Sequence, residues 1–224
     1  MKAQDRILEA AAAVFRRHGF RRSSIEQAAE AAGLTRQALY HHFKSKEALF
    51  RALIEQLHEK ALAAAVMSAN VAEKAGGSLA DIVVAQVTGR LKQLIGALEG
   101  SPHIEELFSE HLAQARDLYQ KYAELYDAHN ASTIERVCRQ QRLTLTKGMT
   151  PRNLSRCIEM AINGTKSMHP AMQPAKAFLR DLEVMLRTLI AGAVGPSAKP
   201  RLAKSLPSKK SRLTKLRTRS GDHA

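Results

Sequence analysis

Tryptophan is absent from the 224 residues, and six Phe with four Tyr make up the whole aromatic complement. So sparse a set argues against a sheet protein, whose strands draw on aromatic and β-branched side chains, and an Ala- and Leu-rich chain favours helices. Cysteine is scarcer still. Cys138 and Cys157 are too few and too isolated for a disulfide framework or a C-x-x-C metal site; both fall in apolar helical patterns, as reduced core thiols do. No apolar run approaches the ~20 residues that span a bilayer. The opening MKAQDRILEAAAAVF is charged and helical rather than a secretion signal, so a cytoplasmic protein without a membrane partner is expected. A Gly-rich phosphate loop, a nucleophile elbow and a cluster of metal ligands are missing as well, and His103 and His111 are poorly spaced to share one ion. The chain reads as a non-enzyme with no cofactor and no metal.

Acidic residues are in short supply: 35 Lys and Arg face 21 Asp and Glu, a formal net charge of +14. The excess is local, because residues 195–224 hold nine Lys and Arg against one acid, whereas residues 61–194 hold 15 against 13. Beyond Gly195 the apolar period gives way to Pro, Ser, Lys and Arg, which predicts a disordered basic tail. Such a tail either adds sequence-independent attraction to phosphate or is only a solvating appendage.

What is present is helical periodicity. Ile7, Leu8, Ala11, Val14 and Phe15 share one face of a segment that Gly19 ends. Ser24, three residues before Gln27, forms a capping box for a second helix that closes at Gly33. Thr35 can cap a third helix, and Ser45 a long fourth one reaching about Lys74, before Gly76-Gly77. Five further helices are predicted: from Ser78 to Leu98, over 103–112 behind Ser101-Pro102, over 115–141, over 151–168 behind Thr150, and over 175–192. The expected fold is all-α: a three-helix head over residues 1–50, a long connecting helix and a helical bundle over 51–194, then the tail over 195–224.

The stretch LTRQALYHHFKSKE carries the chemistry. On a helix starting at Thr35, Arg36, Gln37, Tyr40 and His41 fall on one face while Leu39 and Phe43 fall on the other. That is the layout of a recognition helix in a helix-turn-helix, with Gly33 in the turn. Arg36 can donate a bidentate fork to guanine, and Gln37 can pair with adenine. Tyr40 and His41 have the reach for a phosphate or a thymine methyl. Lys46, at the start of the next helix, and Ser24 are placed for backbone phosphates.

Residues 6–50 resemble the DNA-binding domain of the TetR/AcrR family of bacterial transcriptional repressors. The resemblance runs through RILEAAAAVFRRHGF and then SSIEQAAEAAGLTRQALYHHFKSKEALF. It implies that Arg36, Gln37, Tyr40, His41 and Lys46 occupy the family's usual DNA-contacting positions, with Thr35 beside them. Ala28 stands where the family commonly carries a larger aliphatic residue, a departure in the head's core rather than on its contact face. The resemblance further implies a homodimer on double-stranded operator DNA, and a carboxy-terminal bundle that binds a small-molecule effector and thereby moves the heads out of register. A ligand-independent or nucleoid-type DNA-binding protein is the alternative.

Within the bundle, Phe108, Tyr119, Tyr122, Met160 and Asn163 are the candidate pocket residues, since a small-molecule site needs apolar walls and a few polar groups. Ile158, Ile162, Leu179, Leu182, Met185, Leu186 and Leu189 form stripes on the last two helices. Those stripes could build an intermolecular four-helix bundle, or close the monomer's own core.

Overall fold

A computed structural model describes residues 3–195, and the basic tail lies outside them. Helices α1 (Ala3–His18), α2 (Ile25–Ala31) and α3 (Arg36–His42) form the head, and α4 (Lys46–Lys74) leads out of it. The bundle consists of α5 (Leu79–Leu98), α6 (Ile104–Gln114), α7 (Arg116–Gln140), α8 (Pro151–Met168) and α9 (Ala175–Ala193). Among the described residues there is no strand, only a single antiparallel bridge between Leu145 and Val194. No described helix is long and apolar enough to cross a membrane.

The expected caps do their work. Ser24 accepts from the Gln27 amide while the Gln27 side chain accepts from the Ser24 amide, and Thr35, Ser45, Ser78 and Thr150 each cap the helix that follows. One boundary differs. Pro102 lies before α6 rather than in its first turn, and Ser101 instead donates to the Arg16 carbonyl at 2.8 Å while accepting from the His103 amide. Ser101 thus ties the bundle to the end of α1.

Two cores result. The head buries Ile7, Leu8, Ala11 and Phe15 of α1 against Leu39, Phe43, Leu49 and Phe50. Phe15 and Phe50 meet edge to face with centroids 5.3 Å apart, and Phe20 lies 4.6 Å from Phe50. Ala28 is fully buried in this cluster. Leu107 of α6 and Ala115 also belong to this core, and α4 runs unbroken past residue 50, so head and bundle share packing. The second core joins α5, α7, α8 and α9 through Leu91, Ile134, Ile158, Ile162, Leu182 and Leu186, among others. Cys138 is buried and Cys157 half-buried, both as free thiols.

The stripes on α8 and α9 therefore close the chain's own core. Ile158, Ile162, Leu182 and Leu186 are 0 % exposed, and Leu179 and Leu189 pack partly buried against the same cluster. Of the seven residues expected at an intermolecular bundle, Met185 alone is exposed. The reason is period: the most apolar face of an amphipathic helix goes to the nearest apolar neighbour, and here that neighbour is in the same chain.

Candidate nucleic-acid interface and the bundle cavity

Helix α3 is held from behind. Leu39 and Phe43 sink into the head core, the Thr35 hydroxyl accepts from the Ala38 amide at 3.1 Å, and Gly33 turns the chain at a φ of +68° that suits glycine. Rotation by 100° per residue then leaves Arg36, Gln37 and His41 exposed and Tyr40 half-exposed on the outer side. Arg36 does not hang free. Its Nε lies 2.8 Å from a Glu26 oxygen and its guanidinium 5.5 Å from the centre of the Tyr40 ring. Those contacts hold its pKa above the usual arginine value, Tyr40 contributing most and Glu26 next.

Two of the expected phosphate contacts are engaged within the head. Lys46 Nζ donates to the carbonyls of Phe20 and Ser23, both at 3.0 Å, and sits 4.5 Å above the Phe20 ring. It fastens the loop between α1 and α2. The Ser24 hydroxyl is occupied by its capping bond to Gln27. What remains for a phosphate at these positions is the backbone N–H of each helix start. Exposed Arg21 and Arg22 in that loop add positive charge that the motif reading passed over.

Arg21 also points back to the bundle. Its amide donates to Glu106 and its Nε to Glu110, both at 2.8 Å. That pairing, then the amide of Gln114, holds the Glu110 carboxyl below its usual pKa. Arg51 of α4 adds a two-pronged pair with Asp117, at 2.8 and 2.7 Å, and a bond to the Gln114 carbonyl. Helix α6 and the start of α7 are thereby clamped to the head.

Deeper in the bundle lies a small cavity of about 20 Å³ between α4, α5, α7 and α8. Tyr119 lines it, and Tyr122 stacks nearly parallel on His58 at its edge, centroids 4.8 Å apart. Phe108 packs partly buried against the main core, with its ring 6.4 Å from that of His111. Met160 and Asn163 do not join them. Both are exposed on the outer face of α8, Met160 to 65 %, because the same helix turns Ile158 and Ile162 inward.

The polar residues of this cavity were not among the sequence expectations. The Tyr126 hydroxyl donates to the His58 carbonyl at 3.1 Å, so His58 Nδ1–H donates to Tyr126 at 3.2 Å. His58 Nε2 is then an acceptor, and His111 Nε2–H donates to it at 3.0 Å. Burial first, then mutual repulsion and nearby cations, pushes His58 down to about 3; burial and Lys166 push His111 down to about 4. Both imidazoles are neutral at neutral pH. Arg90 lies 4.2 Å over the Tyr126 ring and 3.5 Å from Glu159. Among the described residues, its buried Nε has no hydrogen-bond partner. A signal did exist: Arg90 follows Val87 by three and precedes Leu91, which puts a charge on the apolar stripe of α5.

Comparison with known proteins accords with the head's geometry. Residues 7–53 match the family of bacterial regulatory proteins, tetR family. Over 60 residues, 27 % of this chain and 31 % of the other, the sequence is 43 % identical to the HTH-type transcriptional regulator UidR of Escherichia coli K12. It is 25 % identical over 159 residues to the HTH-type transcriptional repressor Rv1474c of Mycobacterium tuberculosis, covering 70 % of this chain and 77 % of that one. Several of the curated relatives match over only about 28–31 % of their own length. The whole fold is similar to that of a transcriptional regulator from Rhodococcus sp. Rha1, with a TM-score of 0.63, 19 % identity, and coverage of 87 % of this chain and 100 % of the other.

Proposed function

Because the chain is a TetR-family transcriptional regulator, identified through residues 7–53, we propose that it is a cytoplasmic homodimeric repressor whose α3 helices read an operator and whose bundle releases it on binding a small molecule. The observation that carries the DNA-reading part is the outer face of α3, where Arg36, Gln37, Tyr40 and His41 stand over a helix anchored by Leu39 and Phe43. Exposed Arg36 and Gln37 at the amino end of a recognition helix suit guanine and adenine edges in the major groove. Repression draws support from the named repressor that this chain resembles over much of its length.

The dimer surface we propose is the outer side of α8 and α9. Met160 on α8 and Val184 and Met185 on α9 are exposed to 65 %, 62 % and 41 %. Gly164 and Gly192 lie on the same outward sides with open space where a Cβ would stand, so a second pair of helices could approach closely. Two heads joined this way would engage half-sites one DNA turn, ~34–36 Å, or a multiple of it apart. The clamp from Arg21 and Arg51 to Glu106, Glu110 and Asp117 supports the release step, since movement of α6 would carry the head with it.

The test is fluorescence anisotropy with DNA flanking the protein's own gene, against a scrambled duplex across a salt series. Tight binding to the first duplex, by two protomers per site, is expected. Equal and salt-fragile binding to both would favour a nucleoid-type protein instead.

A further inference from the structure

Helix α1 packs against α4 and α6, and between it and α5 a cleft stays open. Its volume of about 410 Å³ falls within the ~300–1,000 Å³ of small-molecule sites, whereas the cavity beside Arg90 has room for one water. Leu8 and Ala12 of α1, Leu53 and Leu57 of α4, and Ala97 of α5 give the cleft an apolar floor. Ala12, Leu53, Leu57 and Ala97 also border an inner recess of about 70 Å³, closed by Phe15, Phe50, Leu98 and Leu107. Arg16 is the one polar residue that lines this recess.

The rim shows what polar group suits the site. Gln56 donates to Asp5 at 3.2 Å and accepts from Lys60 at 3.1 Å, so its amide is engaged. Gln93, half-buried on α5, makes no hydrogen bond with the described residues and offers the cleft an amide that can both donate and accept. Glu9, Arg16 and Lys60 are exposed and of mixed sign. A charged occupant would gain little from them and lose part of its own hydration. We propose that this cleft seats the effector, and that the effector is a small neutral amphipath. Its apolar ring or chain enters the recess, and one uncharged hydroxyl or amide bonds Gln93. This rests on the effector reading given above. An occupant wedged here presses α1 away from α5. Helix α1 carries the head through Phe15, whose ring meets those of Phe20 and Phe50, and Ser101 ties its end to the α5–α6 loop. Parting the two helices therefore tilts the head against the bundle and displaces α3.

The experiment is isothermal titration of the full chain with 4-phenylbutan-1-ol, 4-phenylbutanoate and 4-phenylbutylamine, which share one apolar body and differ in charge. The neutral alcohol should bind tightest. Ala97→Leu, which fills the cleft from a half-buried position, should abolish binding without lowering the ligand-free melting temperature. Gln93→Leu should weaken the alcohol about 2- to 10-fold, the worth of one hydrogen bond. It should bind butylbenzene, which has no polar group, no worse than the parent does, as read by thermal unfolding. That contrast cannot come from a general loss of fold, and it decides the matter even where Ala97→Leu does not fold. Failure of all three compounds to bind overturns the proposal, as does tighter binding of the carboxylate or the amine. So does an Ala97→Leu or Gln93→Leu protein that binds the alcohol like the parent. Operator affinity is read in parallel. Alcohol binding that Ala97→Leu abolishes but that leaves the operator bound would keep the cleft as a site and sink the effector role on which the proposal rests. Operator release that survives Ala97→Leu would keep the effector role and sink the cleft.

Discussion

At the scale of single residues, the proposed role of the head separates reading from holding. Arg36 and Gln37 are exposed and aimed outward, and in that role Arg36 would exchange Glu26 for a base edge. Arg36→Ala or Gln37→Ala should weaken operator binding about 5- to 150-fold and relax preference at one base pair, measured by competition against single-base operator variants. Lys46→Ala acts differently, because its ammonium binds the carbonyls of Phe20 and Ser23. It should lower the stability of the head by about 1 kcal/mol and weaken all duplexes alike, seen as a lower melting temperature without DNA. The His58–His111 pair sets a pH dependence. Its folded pKa values lie near 3 and 4, below the unfolded value of about 6.5, so the unfolded chain takes up protons first as pH falls. Stability contributed by the pair is complete above that unfolded value and drains away as pH drops towards 4 and 3. Melting temperatures between pH 7 and 4 should fall accordingly, and His111→Gln should flatten the curve.

At the scale of helices, α4 and α5 form the most extensive pairing in the molecule, and small residues make it possible. Ala61, Ala65 and Ala69 are buried along α4, and Gly89 of α5 faces Ala64 and Ser68. A Cβ on Gly89 would stand 2.7 Å from Ser68 Cβ and 3.0 Å from the Ala64 carbonyl oxygen. Gly89→Ala should therefore cost about 1–3 kcal/mol through overpacking, despite the helix propensity gained. Gly96 lies on the same helix with nothing within 4 Å of its Cβ position. Gly96→Ala should be neutral or stabilise by up to about 1 kcal/mol. Chemical denaturation of the two variants side by side checks the contrast. If both were stabilising, the close approach of α4 to α5 would be absent in solution.

At the scale of the whole molecule, the proposed function depends on two heads held at one spacing. The outer sides of α8 and α9 carry the exposed Met160, Val184 and Met185. Met160→Glu combined with Val184→Glu places like charges at the proposed two-fold contact and should yield a folded monomer by sedimentation velocity. Operator affinity should then drop 10²-fold or more, because the second head no longer binds as part of one molecule. A double variant that remained dimeric would move the contact to another face.

Much of this architecture was legible in the chain itself. The caps at Ser24, Thr35, Ser45, Ser78 and Thr150 mark helix starts through bonds reaching only three residues, so local sequence determines them. The outward face of α3 follows likewise from helical period and two buried anchors. Ser101 escaped that logic because its partner, the Arg16 carbonyl, is 85 residues away. The direction in which the α8 and α9 stripes turn escaped it too: period shows that Ile158 and Leu182 share their helices' apolar faces, but not whether the surface that covers them is in the same chain. The cavity is the plainest case. His58, Arg90, Tyr126 and Lys166 come from four different helices, and apart from Arg90, whose charge interrupts the apolar stripe of α5, each looks ordinary in its own segment. The sequence determined which helices form and which face each would bury; tertiary packing decided which polar side chains meet, because burial and charge compensation are properties of neighbours far apart in the chain.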